Sequence, residues 1–172
     1  MMTGGTMRDC LIYGHHCTDN FFAGVNLAGG RMENCTIADN VADRDTTGKS
    51  GLWMSGGTAV NCIVWGNGPA ASSAGSCYLS GGTFNTNLVD AAVSSGVGVI
   101  VGTESPFKNR ARANYHLSGI ARDAIDRGDN AAWTGAPLSE ALDLDGHRRL
   151  SRRIIDLGCF EHSSIPTMLF LR

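Results

Sequence analysis

Hydrophobic and polar positions recur along the first hundred residues with a period much longer than one helix or strand can produce. The phrases GGTMRDCLI, GGRMENCTI, GGTAVNCIV and GGTFNTNLV open on Gly4-Gly5, Gly29-Gly30, Gly56-Gly57 and Gly81-Gly82, at spacings of 25, 27 and 25 residues. Aligned on the glycines, they stack into columns. Met7, Met32, Ala59 and Phe84 form one, and Asp9, Asn34, Asn61 and Thr86 a second. Cys10, Cys35, Cys62 and Asn87 form a third, and Ile12, Ile37, Val64 and Val89 a fourth. Before each later glycine pair runs a short stretch of period two: Val25 and Leu27 against Asn26, Leu52 and Met54 against Trp53, Cys77 and Leu79 against Tyr78. That alternation is the mark of a strand with one buried face, and no stretch shows the 3.6-residue period of a helix.

Repeats of this length signal stacked supersecondary units. Three short strands per coil, with Gly or Asn at the corners, predict an all-β fold. It is a right-handed parallel β-helix, a solenoid of about four coils of about 25 residues over 1–102. Each strand should pair with its equivalent one coil on, so that like stacks on like. Gly-Gly suits a corner where positive φ or close approach is needed. Asn suits one where side-chain amides bond to each other and to the backbone. An antiparallel sandwich would need tight hairpin turns, and the one Asn-Gly, Asn67-Gly68, opens a longer variable stretch instead.

Length variation gathers in residues 16–22, 41–50 and 68–74, where a solenoid commonly builds its binding surface. The middle stretch, VADRDTTGKS, carries Asp43, Arg44, Asp45 and Lys49 and should stand beside the outer face of the first-strand sheet. On that face Asn26, Trp53 and Tyr78 share one column, and Ala28, Ser55 and Ser80 another. Aromatic rings flanked by small polar groups can stack on sugars, so Trp53, Tyr78, Asn26, Asp43 and Asp45 are the candidate glycan contacts. Tyr13 and Trp65 form a second, similar pair.

Composition narrows the field. A net charge of −2 offers no basic patch for nucleic acid. No run of 18 apolar residues is present, which argues against membrane insertion by this chain. The N-terminus starts inside a repeat phrase and lacks a signal peptide, which reads as the C-terminal fragment of a longer protein. An uncapped first coil should then associate with itself through that end. The 6 cysteines include no Cys-x-x-Cys pair, and three share one inward column, which predicts a file of buried thiols. A hydrolase would need paired carboxylates on one face, and a lyase a base near its substrate. Asp39, Asp43, Asp45 and Asp90 fall in different columns, and catalytic residues stay unassigned.

After Gly102 the repeat stops. Residues 103–162 hold short apolar words, Tyr115, Leu117, Ile125, Ile155, Leu157 and Phe160, that could cover an open coil end as a capping segment. Asp126, Asp143, Asp145 and Asp156 read as acceptors in tight Gly turns. The sharper alternative is calcium at Asp143 and Asp145, since Asp-x-Asp-Gly is half of a calcium loop. Arg148, Arg149, Arg152 and Arg153 follow and oppose a cation, so no cofactor is the plainer reading. Residues 163–172 read as a tail or the start of a linker or anchor.

Five ordered words carry a family resemblance: Pro106-Phe107, Asn114-Tyr115-His116-Leu117-Ser118, Asp123-Ala124-Ile125-Asp126-Arg127-Gly128, Asp143-Leu144-Asp145-Gly146-His147-Arg148 and Ile155-Asp156-Leu157-Gly158-Cys159-Phe160-Glu161. With the coils before them, they make the chain resemble the choice-of-anchor Q domain proteins, bacterial surface proteins with a pectate-lyase-like right-handed β-helix. Arg127, Cys159 and Ile120-Ala121-Arg122 depart from that pattern. The resemblance implies an extracellular or cell-surface location and carries over no catalytic residue. Three functions remain: a non-catalytic module for adhesion or glycan contact, the C-terminal part of a polysaccharide lyase or glycoside hydrolase, or a passive spacer.

Overall fold

The computed structural model describes residues 1–18, 21–69 and 75–162. The anticipated tail, 163–172, lies outside the described residues, as do parts of two variable stretches. The first coil holds β1 (Met2–Arg8), β2 (Leu11–Tyr13) and β3 (His16–Cys17), and the second β4 (Val25–Glu33), β5 (Thr36–Ala38) and β6 (Val41–Ala42). The third holds β7 (Leu52–Met54), β8 (Thr58–Val60) and β9 (Ile63–Trp65), and the fourth β10 (Cys77–Leu79), β11 (Thr83–Asn85) and β12 (Leu88–Val89). A last rung, β13 (Ile100–Val101), precedes the antiparallel pair β14 (Phe107–Asn109) and β15 (Asn114–Leu117). All the other pairs are parallel and join equivalent residues one coil apart. The result is a β-solenoid of about three turns, slightly fewer coils than the repeat count suggested.

The register follows the sequence columns. Met7 pairs with Met32, Met32 with Ala59 and Ala59 with Phe84. Ile12, Ile37, Val64 and Val89 stack in the same way. These side chains, with Leu27, Leu52 and Met54, form the interior. Cys35 and Cys62 are fully buried in it as free thiols. The corner residues Asp9, Asn34, Asn61 and Thr86 all adopt left-handed backbone, with φ of 51°, 47°, 57° and 51°. Asn and Asp tolerate that region better than other non-glycine residues, which explains the column. The Asn61 amide donates to Asn34 Oδ1 at 3.3 Å. A second ladder was not anticipated: Asn40 Nδ2 donates to Asn67 Oδ1 at 2.9 Å, and Asn67 Nδ2 to the Ile37 carbonyl at 3.0 Å.

The C-terminal segment does cover apolar surface, but along a flank of the solenoid. Strands β2, β5, β9 and β12, the third strands of the repeat, are apolar on both faces except at Thr36. Ile63, Trp65 and Leu88 point outward and are buried beneath Phe107, Tyr115, Leu117, Ala124, Leu157, Cys159 and Phe160. Polar bonds to the first three coils pin this cover. Arg149 pairs with Asp9, Cys159 N donates to Thr36 Oγ1, Gly158 N to the Asn61 carbonyl, and Arg110 pairs with Asp39. Burial of the outer face in this way suits strands that read as continuous apolar runs.

Candidate functional site

The first strands have only one buried face. Val25, Leu27, Leu52 and Met54 point inward, which leaves the opposite positions facing out. Asn26 pairs with Trp53 and Trp53 with Tyr78, so three of the five candidate contacts form one ladder. Its rungs are separated by about the 4.8 Å of paired strands. Phe22 extends the ladder beside Trp53, with ring centroids 5.9 Å apart. Tyr78 is 37% exposed.

The loop between β6 and β7 lies against this ladder, as its length variation suggested. The Lys49 ammonium sits 4.9 Å from the Trp53 ring centroid and 4.6 Å from that of Tyr78. Both distances fall within the range of cation–π attraction. Lys49 and Phe22 were not singled out as ring contacts by sequence reasoning. Their positions depend on the path of a loop without a repeat, and a lone basic residue in a loop does not announce its target.

Asp45 turns inward. Its carboxylate accepts the backbone N–H groups of Thr47, Gly48 and Ser50, and it is 2% exposed. Burial works to raise its pKa, and the hydrogen bonds from Thr47 and Ser50 overcome this and hold it below the usual carboxylate range. Asp45 thus shapes the loop that delivers Lys49 and does not itself face a ligand. The Asp43 carboxylate accepts from the His16 ring Nε2 at 2.8 Å, beside the short β3–β6 pair. The second aromatic pair is split between surface and core, with Tyr13 44% exposed. Trp65 lies under the flank cover at 6% exposure, and Tyr13 packs on Tyr115 with centroids 4.9 Å apart.

Asp143 and Asp145 close a turn. Asp143 accepts from the amides of Asp145, His147 and Glu161, and Asp145 Oδ2 meets His116 Nε2 at 2.6 Å. Among the described residues no group of three His, Cys, Asp or Glu side chains has the geometry to hold a metal ion. Beside this turn is a polar network with no counterpart in the sequence reading. Arg149, fully buried, pairs with Asp9 and stands 3.6 Å from Glu161. Burial, reinforced by the charge of Asp156, pushes the Glu161 carboxyl up to about 8. Burial also raises Asp156, and raises Asp9 despite its arginine partner. Glu33 shows the opposite balance: burial is outweighed by hydrogen bonds from Thr134, Arg31 and Arg8, and its pKa is lowered.

The exposed ladder offers ring faces, an ammonium and a primary amide. That set can stack on and hydrogen-bond a polyhydroxylated surface, and it contains neither a carboxylate pair nor a nucleophile with its base. The fold defines the class: a parallel β-solenoid with one flank covered by the C-terminal segment and the other left uncovered among the described residues. No family model, curated protein or solved structure matches the chain. Among the described residues no helix is long and apolar enough to cross a membrane.

Proposed function

We propose that the chain is a non-catalytic β-helix module for adhesion or glycan contact at a bacterial surface, with Asn26, Trp53 and Tyr78 as its contact face. One observation carries this reading: aromatic rings in register on consecutive rungs, in contact with Lys49, on the flank that the described residues leave uncovered. Stacked rings at a rung spacing suit an extended saccharide better than a compact ligand. The ordered C-terminal words support a place among the choice-of-anchor Q domain proteins, and the surface location rests on that placement. The reading calls for no cofactor.

A glycan-array screen of the whole chain tests it, run beside an assay of the same polysaccharides for new reducing ends and unsaturated products. The expected result is binding without cleavage, weakened about tenfold or more by Trp53→Ala with Tyr78→Ala, the loss of roughly 1.4 kcal/mol or more of stacking. Cleavage would favour the polysaccharide lyase or glycoside hydrolase reading. Neither binding nor cleavage would leave a spacer.

A further inference from the structure

Most repeat glycines are required by the rung that precedes them. A Cβ at Gly29 would stand 2.5 Å from the carbonyl oxygen of Thr3, and one at Gly81 2.6 Å from that of Ser55. One at Gly56 would meet the Ala28 carbonyl in the same way. No real side chain approaches a carbonyl so closely. These three glycines, none with positive φ, therefore record a parallel backbone passing one coil back. Gly4 opens the same phrase in the first rung, also without positive φ, yet no described atom lies within 4 Å of a Cβ placed there. The first rung has the glycine without the neighbour that makes it necessary.

Two further observations point the same way. Among the described strands β1 pairs with β4 alone, so its other edge presents a row of backbone donors and acceptors. Met2, Met7, Cys10 and Ile12 are only partly buried, whereas Leu27, Met32, Cys35 and Ile37 in the same columns are fully buried. Met2, Met7 and Ile12 line an open depression of about 580 Å³. The other end of the stack differs. Val97 bridges to Asn85, the Ser94 hydroxyl donates to the Leu79 carbonyl, and Val93 and Val99 pack on the core. A second copy therefore does not present its last rung as a continuation of the first.

We propose that the Met2–Arg8 edge is a docking site for one further coil of parallel β-solenoid. The partner is a polypeptide segment that places a backbone carbonyl over Gly4 and apolar side chains over the Met2, Met7 and Ile12 columns. Main-chain pairing supplies the affinity, and the columns set the register, as in other cases of strand addition.

The probe is a fluorescent peptide with the sequence of residues 24–38, the chain's own second rung, titrated into the whole chain under reducing conditions. Saturable binding is expected, absent for a scrambled peptide and weakened about tenfold or more by Gly4→Val. The same variant should not lower the chain's own melting midpoint, because no described atom opposes the new side chain. A second copy of residues 24–48 fused ahead of Met1 should raise the melting midpoint, and Gly4→Val should cancel the gain. Peptide binding indifferent to Gly4→Val, or no gain from the fused coil, would overturn the proposal. So would a dimer, seen by light scattering, that excludes the peptide, since it would assign the edge to a second copy.

Discussion

The two outer flanks of the solenoid are built from neighbouring strands of the same coils and have opposite fates. On the third-strand flank Ile63, Trp65 and Leu88 are sealed beneath the C-terminal segment. On the first-strand flank Asn26, Trp53 and Tyr78 stay at the surface with a single ammonium laid across the rings. A tryptophan at the end of one strand is therefore a core residue, and a tryptophan in the middle of another stays half-buried at the surface. What separates them is the company on the outward face: Trp65 shares its face with Ile63 and Leu88, whereas Trp53 stacks between Asn26 and Tyr78. Ile63-Val64-Trp65 is apolar throughout and buried throughout, while Leu52-Trp53-Met54 is buried, half-buried, buried.

The strongest way to break this comparison is to remove the cover. A chain ending at Gly102 exposes the apolar flank and loses the polar ties to the first three coils. It should fail to give a soluble species with a cooperative thermal transition. A soluble, cooperatively melting truncation would show that the two flanks are equivalent after all.

Proton linkage sharpens the contrast next. Glu161 sits in the cover, with its folded pKa at about 8 against an ordinary value of 4.5. Its protonated form is favoured by folding, so its contribution is full below about pH 4.5 and lost as pH rises through about 8. At about 1.4 kcal/mol per unit the loss is on the order of 5 kcal/mol. Asp156 and Asp9 are raised as well and act in the same direction. Glu33 and Asp45 are held low and act only in acid, where their stabilisation is lost as pH falls. Urea midpoints measured from pH 5 to 9 should therefore fall with pH, and Glu161→Gln should flatten the fall. An unchanged slope in that variant would remove Glu161 from the account.

The smallest effect comes from comparing the tryptophans directly. Trp65→Ala should cost about 3–5 kcal/mol in chemical denaturation, as a buried aromatic does. Trp53→Ala should cost less, about 1–2 kcal/mol, for a half-buried ring that loses its Lys49 and Phe22 contacts. Equal losses would mean that Trp53 is as structural as Trp65, and the contact face would lose its main residue.

The coils were legible because every inward column repeats: one look at Met7, Met32 and Phe84, or at Ile12 and Ile37, fixes register for all. The αL corner was half legible. Asn34 and Asn61 suggested a polar ladder, but the shared backbone geometry that also holds Asp9 and Thr86 was not stated by residue type. The flank cover was hidden because residues 103–162 carry no period, and an aperiodic segment has no register against a periodic one. A signal was present: unbroken apolar runs in the third strands need a second layer on their outer face. Of the candidate contacts, the ladder of Asn26, Trp53 and Tyr78 follows from alternation alone. Asp45 could not be placed that way, because whether a loop carboxylate faces outward depends on which amides its own turn aims at it.

The pairing of Arg149 with Asp9, 140 residues apart in sequence, has a mechanical consequence. In a simple repeat array each unit touches only its neighbours, so unravelling starts cheaply at a free end and runs inward. Here the first coil cannot peel away without releasing the segment that also grips Thr36, Asn61 and Asp39. The linear stack is thus laced into a closed circuit. Fraying at the first coil is opposed by contacts that reach the second and third coils as well, which couples the opening of the three.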